Sequence, residues 1–390
     1  MTDRADKNHI GNLDGVLRGV VSNGPKEYSW LSGRWVDHSQ WQTTARAKAH
    51  ELLHYFPTPA PLDPAVLSVI DRGDHTQQEV AFNTAHGIRV HGTVLVPKGK
   101  GPFPAVVALH DHGGFYYFGR EKIVAQDWEP EELRQFKNRA YGGRSWASEL
   151  VKLEFLVLAI DAFYFGSRKL NLSEVSEEAL AQCRVGLDPS SPAGEADIET
   201  YNAICNDMER LVVKHIYTAG TTWAGMLFHD DRRSIDYLLT RPDVDRARIG
   251  CCGLSVGGLR SAWLAGMDSR ISCAVVAGWM PTFNSLLDNR LLHHTYMLYV
   301  PGLNLFMDLP DIASMTAPGA LLVQQCSRDP LYTLEGMQRA GEHIGQVYNS
   351  LGIPERYQAS FYDTHHEFNI QMQQDAFAWL CRWLKPSIDK

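Results

Sequence analysis

Apolar residues along this chain keep two rhythms, one of period two and one near 3.6. From residue 77 onward short β-branched runs follow one another: "QQEVAFNT", then "IRVHGTVLVP" and "FPAVVALH", each bounded by Gly or Pro. They predict the opening strands of a sheet. Farther on, "FLVLAID", "RIGCCGLS", "ISCAVVAGWM" and "GALLVQQCS" are apolar with little polar alternation, and "RYQASFYD" closes the series. Between these runs lie amphipathic helices. In "TTWAGMLFHDDRRSIDYLLTRPDVD" the residues Trp223, Leu227, Ile235, Leu238 and Leu239 keep near the helical period, and Phe377, Leu380, Cys381 and Leu384 stand at i, i+3, i+4 and i+7 of a last helix. Strands apolar on both faces and separated by helices imply an α/β fold with a mainly parallel sheet covered on each side.

Two stretches depart from this rhythm. Residues 1–79 read as an amino-terminal helical extension, with a helix at "WQTTARAKAHELLHYF" and a proline-rich break at "PTPAPLDP"; residues 80–390 are expected to form the main α/β domain. Residues 167–220, which include "LDPSSPAGEADIETYN", interrupt a strand-to-helix connection. Insertions of that length in compact enzymes often serve as lids or caps, the alternative being a surface excursion without a role. No internal repeat or low-complexity tract is present.

Composition narrows the classes. An apolar fraction of 44% with 21% charged residues argues against disorder, and a formal net charge of −8 gives no reason to expect a nucleic-acid or anionic-membrane partner. The first residues, "MTDRADKNHIGNLDG", lack the apolar core of a signal peptide, and nowhere does an apolar run reach the length of a membrane span. A cytoplasmic protein is the expectation. Seven scattered cysteines read as reduced and mostly buried, with the adjacent Cys251 and Cys252 inside a strand.

Chemistry enters at "CCGLSVGG". Gly253-Leu254-Ser255-Val256-Gly257 fits the G-x-S-x-G elbow, in which a serine sits on a sharp strand-to-helix turn that only small neighbours permit. Such a serine lies at the carboxyl end of a central strand, where open α/β sheets hold their ligands. It needs a base and a group that orients the base. Asp329 in "SRDPLYT" and His366 in "DTHHEFN" follow in the order Ser, Asp, His, each just beyond a strand end; His365 and Asp363 are the alternatives for base and acid. An oxyanion hole would take the amides of Val256 and of His112, with Gly113 as second choice, from the loop "HDHGG". Phe115, Tyr116 and Tyr117 read either as substrate-pocket walls or as core, and Arg120 and Lys122 as solvated charges. His110 and His112, with His365 and His366, could instead be imagined around a zinc ion, but no carboxylate or cysteine stands at a recognised zinc spacing; no metal and no cofactor is expected.

Taken together, "LHDHGGFYYFGREK", "AIDAFYFGSR", "DDRRSIDYLLTRPDVDRARIGCCGLSVGG", "SRDPLYT" and "DTHHEFNIQMQQDAFAWL" resemble the α/β-hydrolase esterases grouped with acetyl xylan esterases and dienelactone-hydrolase-like proteins, over roughly residues 80 to 385. The resemblance implies an eight-stranded α/β-hydrolase sheet, carries a triad onto Ser255, Asp329 and His366, and points to hydrolysis of a small-molecule carboxylic ester, with peptide or amide hydrolysis, or ligand binding without turnover, as alternatives. The chain departs from dienelactone hydrolases proper in having Ser255 where they carry cysteine, and from the usual His-Gly loop in having Asp111. About eighty amino-terminal residues are too few for the propeller of prolyl-oligopeptidase relatives. A homo-oligomer is compatible with all of this.

Overall fold

Apolar side chains on successive residues of the central strands serve two different layers. In the computed structural model, which describes residues 7–21, 24, 26–186 and 196–385, Val107 and Leu109 belong to one core cluster and Val106 and Ala108 to another. Cys251 and Cys252 are split between the two clusters in the same way. A strand buried on both faces has no reason to alternate apolar with polar, which accounts for the uninterrupted runs in the sequence.

The strands are β1 (Ala65–Asp71), β2 (His75–Ala85), β3 (Ile88–Pro97), β4 (Phe103–Leu109), β5 (Leu156–Ile160), β6 (Val244–Leu254), β7 (Ile271–Ala277), β8 (Ala320–Cys326) and β9 (Tyr357–Tyr362). They form one sheet in the order β1-β2-β3-β5-β4-β6-β7-β8-β9. The first three, and the β3–β5 pair, run antiparallel; from β5 across to β9 every pair is parallel. The fold is therefore the mixed, mostly parallel α/β architecture expected, with nine strands in place of eight.

The extra strand is β1, and it corrects the expectation of a helical segment up to residue 79. The helix His38–Leu53 is present, started by the Asp37 carboxylate accepting from the Gln40 N–H and burying Trp41, Ala45, Ala49, Leu52 and Leu53 on one face. After the prolines the chain pairs with β2 as the edge of the sheet. Val66, Leu67 and Val69 of β1 stay exposed, so the run carries no buried apolar pattern to announce it.

One layer holds the helices His38–Leu53, Trp223–Thr240, Val256–Met267 and Leu334–Ser350, and the other holds Glu131–Tyr141 and Ile370–Leu384. The 167–220 insertion is more than a surface excursion. Its helix Ile198–Thr218 builds a third cluster, in which Tyr201, Ile204, Cys205 and Met208 pack with Tyr116, Tyr164, Phe165 and Trp223; residues 187–195 of the insertion lie outside the described residues. All seven cysteines are unpaired, five of them buried. Among the described residues no helix is long and apolar enough to cross a membrane.

Candidate active site

Ser255 follows the last residue of β6 and precedes the helix Val256–Met267, with φ 59° and ψ −119°. That is a strained region for a residue with a Cβ. The strain is held by bonds on both sides: the Ser255 N–H donates to Ala277 O at 2.9 Å, and its carbonyl accepts from the Leu259 N–H at 2.8 Å. The flanking glycines are there because nothing larger fits. A Cβ on Gly257 would lie 2.1 Å from the Leu109 carbonyl oxygen, one on Gly253 2.5 Å from the same oxygen, and one on Gly258 2.7 Å from Ala277 O.

Asp329 and His366, on the turns after β8 and β9, are joined side chain to side chain, with His366 Nδ1 2.5 Å from Asp329 Oδ2. The second carboxylate oxygen of Asp329 accepts from the Leu331 N–H at 2.9 Å, so the buried acid is fixed before it meets the ring. Bonding Nδ1 to the carboxylate leaves Nε2 for other work. Both His366 and Ser255 line one cavity of about 380 Å³, within the range of small-molecule sites. The alternatives fall away: Asp363 is exposed and pairs with Arg328 at 2.9 Å, and His365 is exposed outside the cavity lining.

His112, Gly113 and Val256 line the same cavity. Val256 is the first residue of its helix, where the N–H has no partner within the helix. The loop's amides are aimed by a residue the sequence led us to place in solvent. Lys122 is fully buried, and its ammonium donates to the carbonyls of Asp111 at 2.6 Å and His112 at 3.2 Å. In a trans peptide the N–H points opposite the carbonyl, so the amides of His112 and Gly113 are turned away from Lys122. Gly113 has φ +57°, and a Cβ there would come within 2.4 Å of Asp111 Oδ2 and 2.5 Å of the Phe136 ring. Asp111, in place of the usual glycine, is itself buried and accepts from the Tyr141 hydroxyl.

Lys122 gives a pH signature. Burial pushes its pKa down from 10.5 to about 8, against the pull of Asp111. The unfolded chain then holds this proton at pH values where the folded chain has released it, so the stability contribution of Lys122 improves as pH rises from 8 to 10.5. The expected result in urea titrations at pH 7.5 and 9.5 is that parental stability gains on that of Lys122→Met by on the order of 2 kcal/mol. A constant difference would mean that burial leaves the pKa of Lys122 where it is in the unfolded chain.

Arg120, also expected in solvent, is enclosed too: it pairs with Asp161 and with Glu79 at 3.1 Å and donates to Thr93 at 3.0 Å. Phe115, Tyr116 and Tyr117 are not among the residues that line the cavity, and of the two readings open for them the packing favours core. Phe115 stacks on Phe136 at 4.9 Å, Tyr116 is fully buried and stacks on Phe165 at 5.3 Å, and Tyr117 packs edge-on to Tyr201 of the insertion. The walls come from elsewhere: Phe136 and Arg139 on one side, and Trp279, His294, Thr295 and Leu331 on the other. Burial lowers the pKa of His294, whose ring is bonded to Leu331 O at 3.1 Å. The connection between β7 and β8, far longer than such connections need to be, was the one signal for this second wall.

The imidazoles imagined around zinc point apart. His110 Nδ1–H donates to Asp111 O at 2.8 Å and its Nε2 accepts from the Ala162 N–H at 3.1 Å, while His112 bonds Glu209. Among the described residues no group of three or more His, Cys, Asp or Glu converges as a metal site would.

A mostly parallel sheet with a serine on the turn after β6 and an Asp–His pair on the turns after β8 and β9 defines the α/β-hydrolase fold. Comparison with solved structures agrees. A Bacteroides fragilis protein described as a "putative acetyl xylan esterase" superposes with a TM-score of 0.67 at 17% identity, over 93% of this chain and 84% of that one. A glucuronoyl esterase from Solibacter usitatus gives 0.59 at 13% identity, over 93% and 98%. In sequence, the chain is 25% identical over 341 residues to a Bacillus subtilis protein named "Putative hydrolase YtaP", covering 87% of this chain and 98% of that protein. No protein-family model matches the chain.

Proposed function

We propose that the protein is a serine hydrolase of small-acyl carboxylic esters, with Ser255 as nucleophile. The observation that carries the reading is the Asp329–His366 pair at the cavity that Ser255 enters from a strained elbow. In this mechanism His366 Nε2 takes the Ser255 hydroxyl proton as Oγ attacks the ester carbonyl. Asp329 holds Nδ1–H and stabilises the imidazolium. The amides of Val256 and of His112 or Gly113 receive the oxyanion. His366 then protonates the leaving alcohol, and water, deprotonated by the same ring, releases the acid. No cofactor is called on, and seven unpaired cysteines support a cytoplasmic setting.

The similar proteins named as esterases support the reaction class. The test is to offer p-nitrophenyl acetate beside a matched anilide and to treat the enzyme with a fluorophosphonate, then map the adduct by mass spectrometry. Ester turnover and a single adduct on the peptide bearing Ser255 are expected. Faster anilide cleavage would mark an amidase; no turnover with no adduct would leave a binding protein.

A further inference from the structure

The 167–220 insertion reaches the active site through one buried acid. Glu209, on the helix Ile198–Thr218, is 4% exposed and accepts four kinds of donor: His112 Nε2 at 2.7 Å, the Tyr116 hydroxyl at 2.9 Å, the Thr295 hydroxyl at 3.0 Å and the Tyr296 N–H at 3.5 Å. These partners belong to the loop after β4 and to the segment that builds the second cavity wall, so a single carboxylate ties three separate parts of the chain.

The other edge of the His112 ring decides what this does. His112 Nδ1 lies 3.0 Å from the Gly114 nitrogen, which carries a proton, so Nδ1 must be the acceptor. The ring proton of neutral His112 is then on Nε2, pointing at Glu209. Were it on Nδ1, two donors would face each other and the bond closing the turn at Gly113 and Gly114, with φ +57° and +66°, would be lost. We propose that Glu209 is a positioning residue, which by accepting from Nε2–H fixes the tautomer of His112 and thereby the amides of the oxyanion loop.

This inference rests on the esterase reading for its kinetic test. Glu209→Ala is expected to lower kcat tenfold to a hundredfold, short of the loss of a donor outright, with KM within about twofold. Glu209→Gln, whose carbonyl still accepts from Nε2–H, restores most of the loss. Tyr116→Phe removes another bond to the same carboxylate outside the cavity, and keeps parental kcat. Parental kcat in Glu209→Ala, failure of the glutamine to restore, or an equal loss in Tyr116→Phe would each overturn the proposal. The tautomer is read without any turnover by nitrogen NMR of histidine-labelled enzyme, with His112→Gln identifying the signal. Nε2–H is expected in the parent; Nδ1–H overturns the proposal. Should the parent neither cleave esters nor take the fluorophosphonate, the esterase reading fails, and the tautomer measurement still decides this one.

Discussion

Alanine at position 255 is expected to lower kcat by about a millionfold, the scale seen when the nucleophile of such a set is removed. The cavity, the Asp329–His366 pair and the amides at Val256, His112 and Gly113 all survive the change. A residual acceleration of about 10³- to 10⁴-fold over water therefore remains, from binding and oxyanion stabilisation alone. The fold is not at risk, because the strain at φ 59° is no worse for alanine than for serine and the bonds to Ala277 and Leu259 are made by the backbone. Active-site titration with the fluorophosphonate separates this outcome from contamination: parental enzyme labels one to one, Ser255→Ala not at all. Parental turnover by the variant would remove Ser255 from the chemistry and with it the esterase reading.

That Ser255, Asp329 and His366 could be picked out in the letters as a candidate site follows from where this fold places strand ends. Each lies within a few residues of the carboxyl end of a strand, and parallel strands bring those ends to one edge whatever the helices between them do. Local pattern was enough to locate the strands, and the strands located the residues. The pocket walls follow no such rule. Arg120 and Lys122 looked like solvated charges because a charge is buried only where tertiary contacts satisfy it: the far-off carboxylates of Asp161 and Glu79 for one, and for the other the backbone carbonyls of Asp111 and His112, which no side-chain pattern marks. Glu209 was invisible for the same reason, since its partners lie nearly a hundred residues away on either side. The aromatic run at 115–117 stayed open between pocket wall and core because its partners, Phe136, Phe165 and Tyr201, come from other elements that the local pattern does not connect to it. β1 failed differently, as an exposed edge strand with no core pattern to betray it.

The largest expected effect on stability comes from Asp231→Ala. Behind the elbow, Arg260 of the helix Val256–Met267 meets Asp231 of the helix Trp223–Thr240 in a two-pronged pair, Nε to Oδ2 at 2.9 Å and Nη2 to Oδ1 at 2.6 Å, with both side chains 1% exposed. A third contact, Nη1 to His110 O at 3.4 Å, touches the loop that leads to the oxyanion amides. Removing the acid strands a guanidinium that cannot shed its charge, and breaking such pairs costs about 3–5 kcal/mol. Burial raises the pKa of Asp231 against the opposing pull of Arg260, so dehydrating these charges is a heavy cost even while they are paired. The pair therefore adds little net stability over apolar side chains of the same size, and its value lies in fixing how the two helices meet. Urea titration should then give a large loss for Asp231→Ala and recovery of most of it in the double variant Asp231→Leu with Arg260→Met. A double variant as unstable as the single one would mean that the ion pair itself, and not the stranded charge, holds the helix behind Ser255.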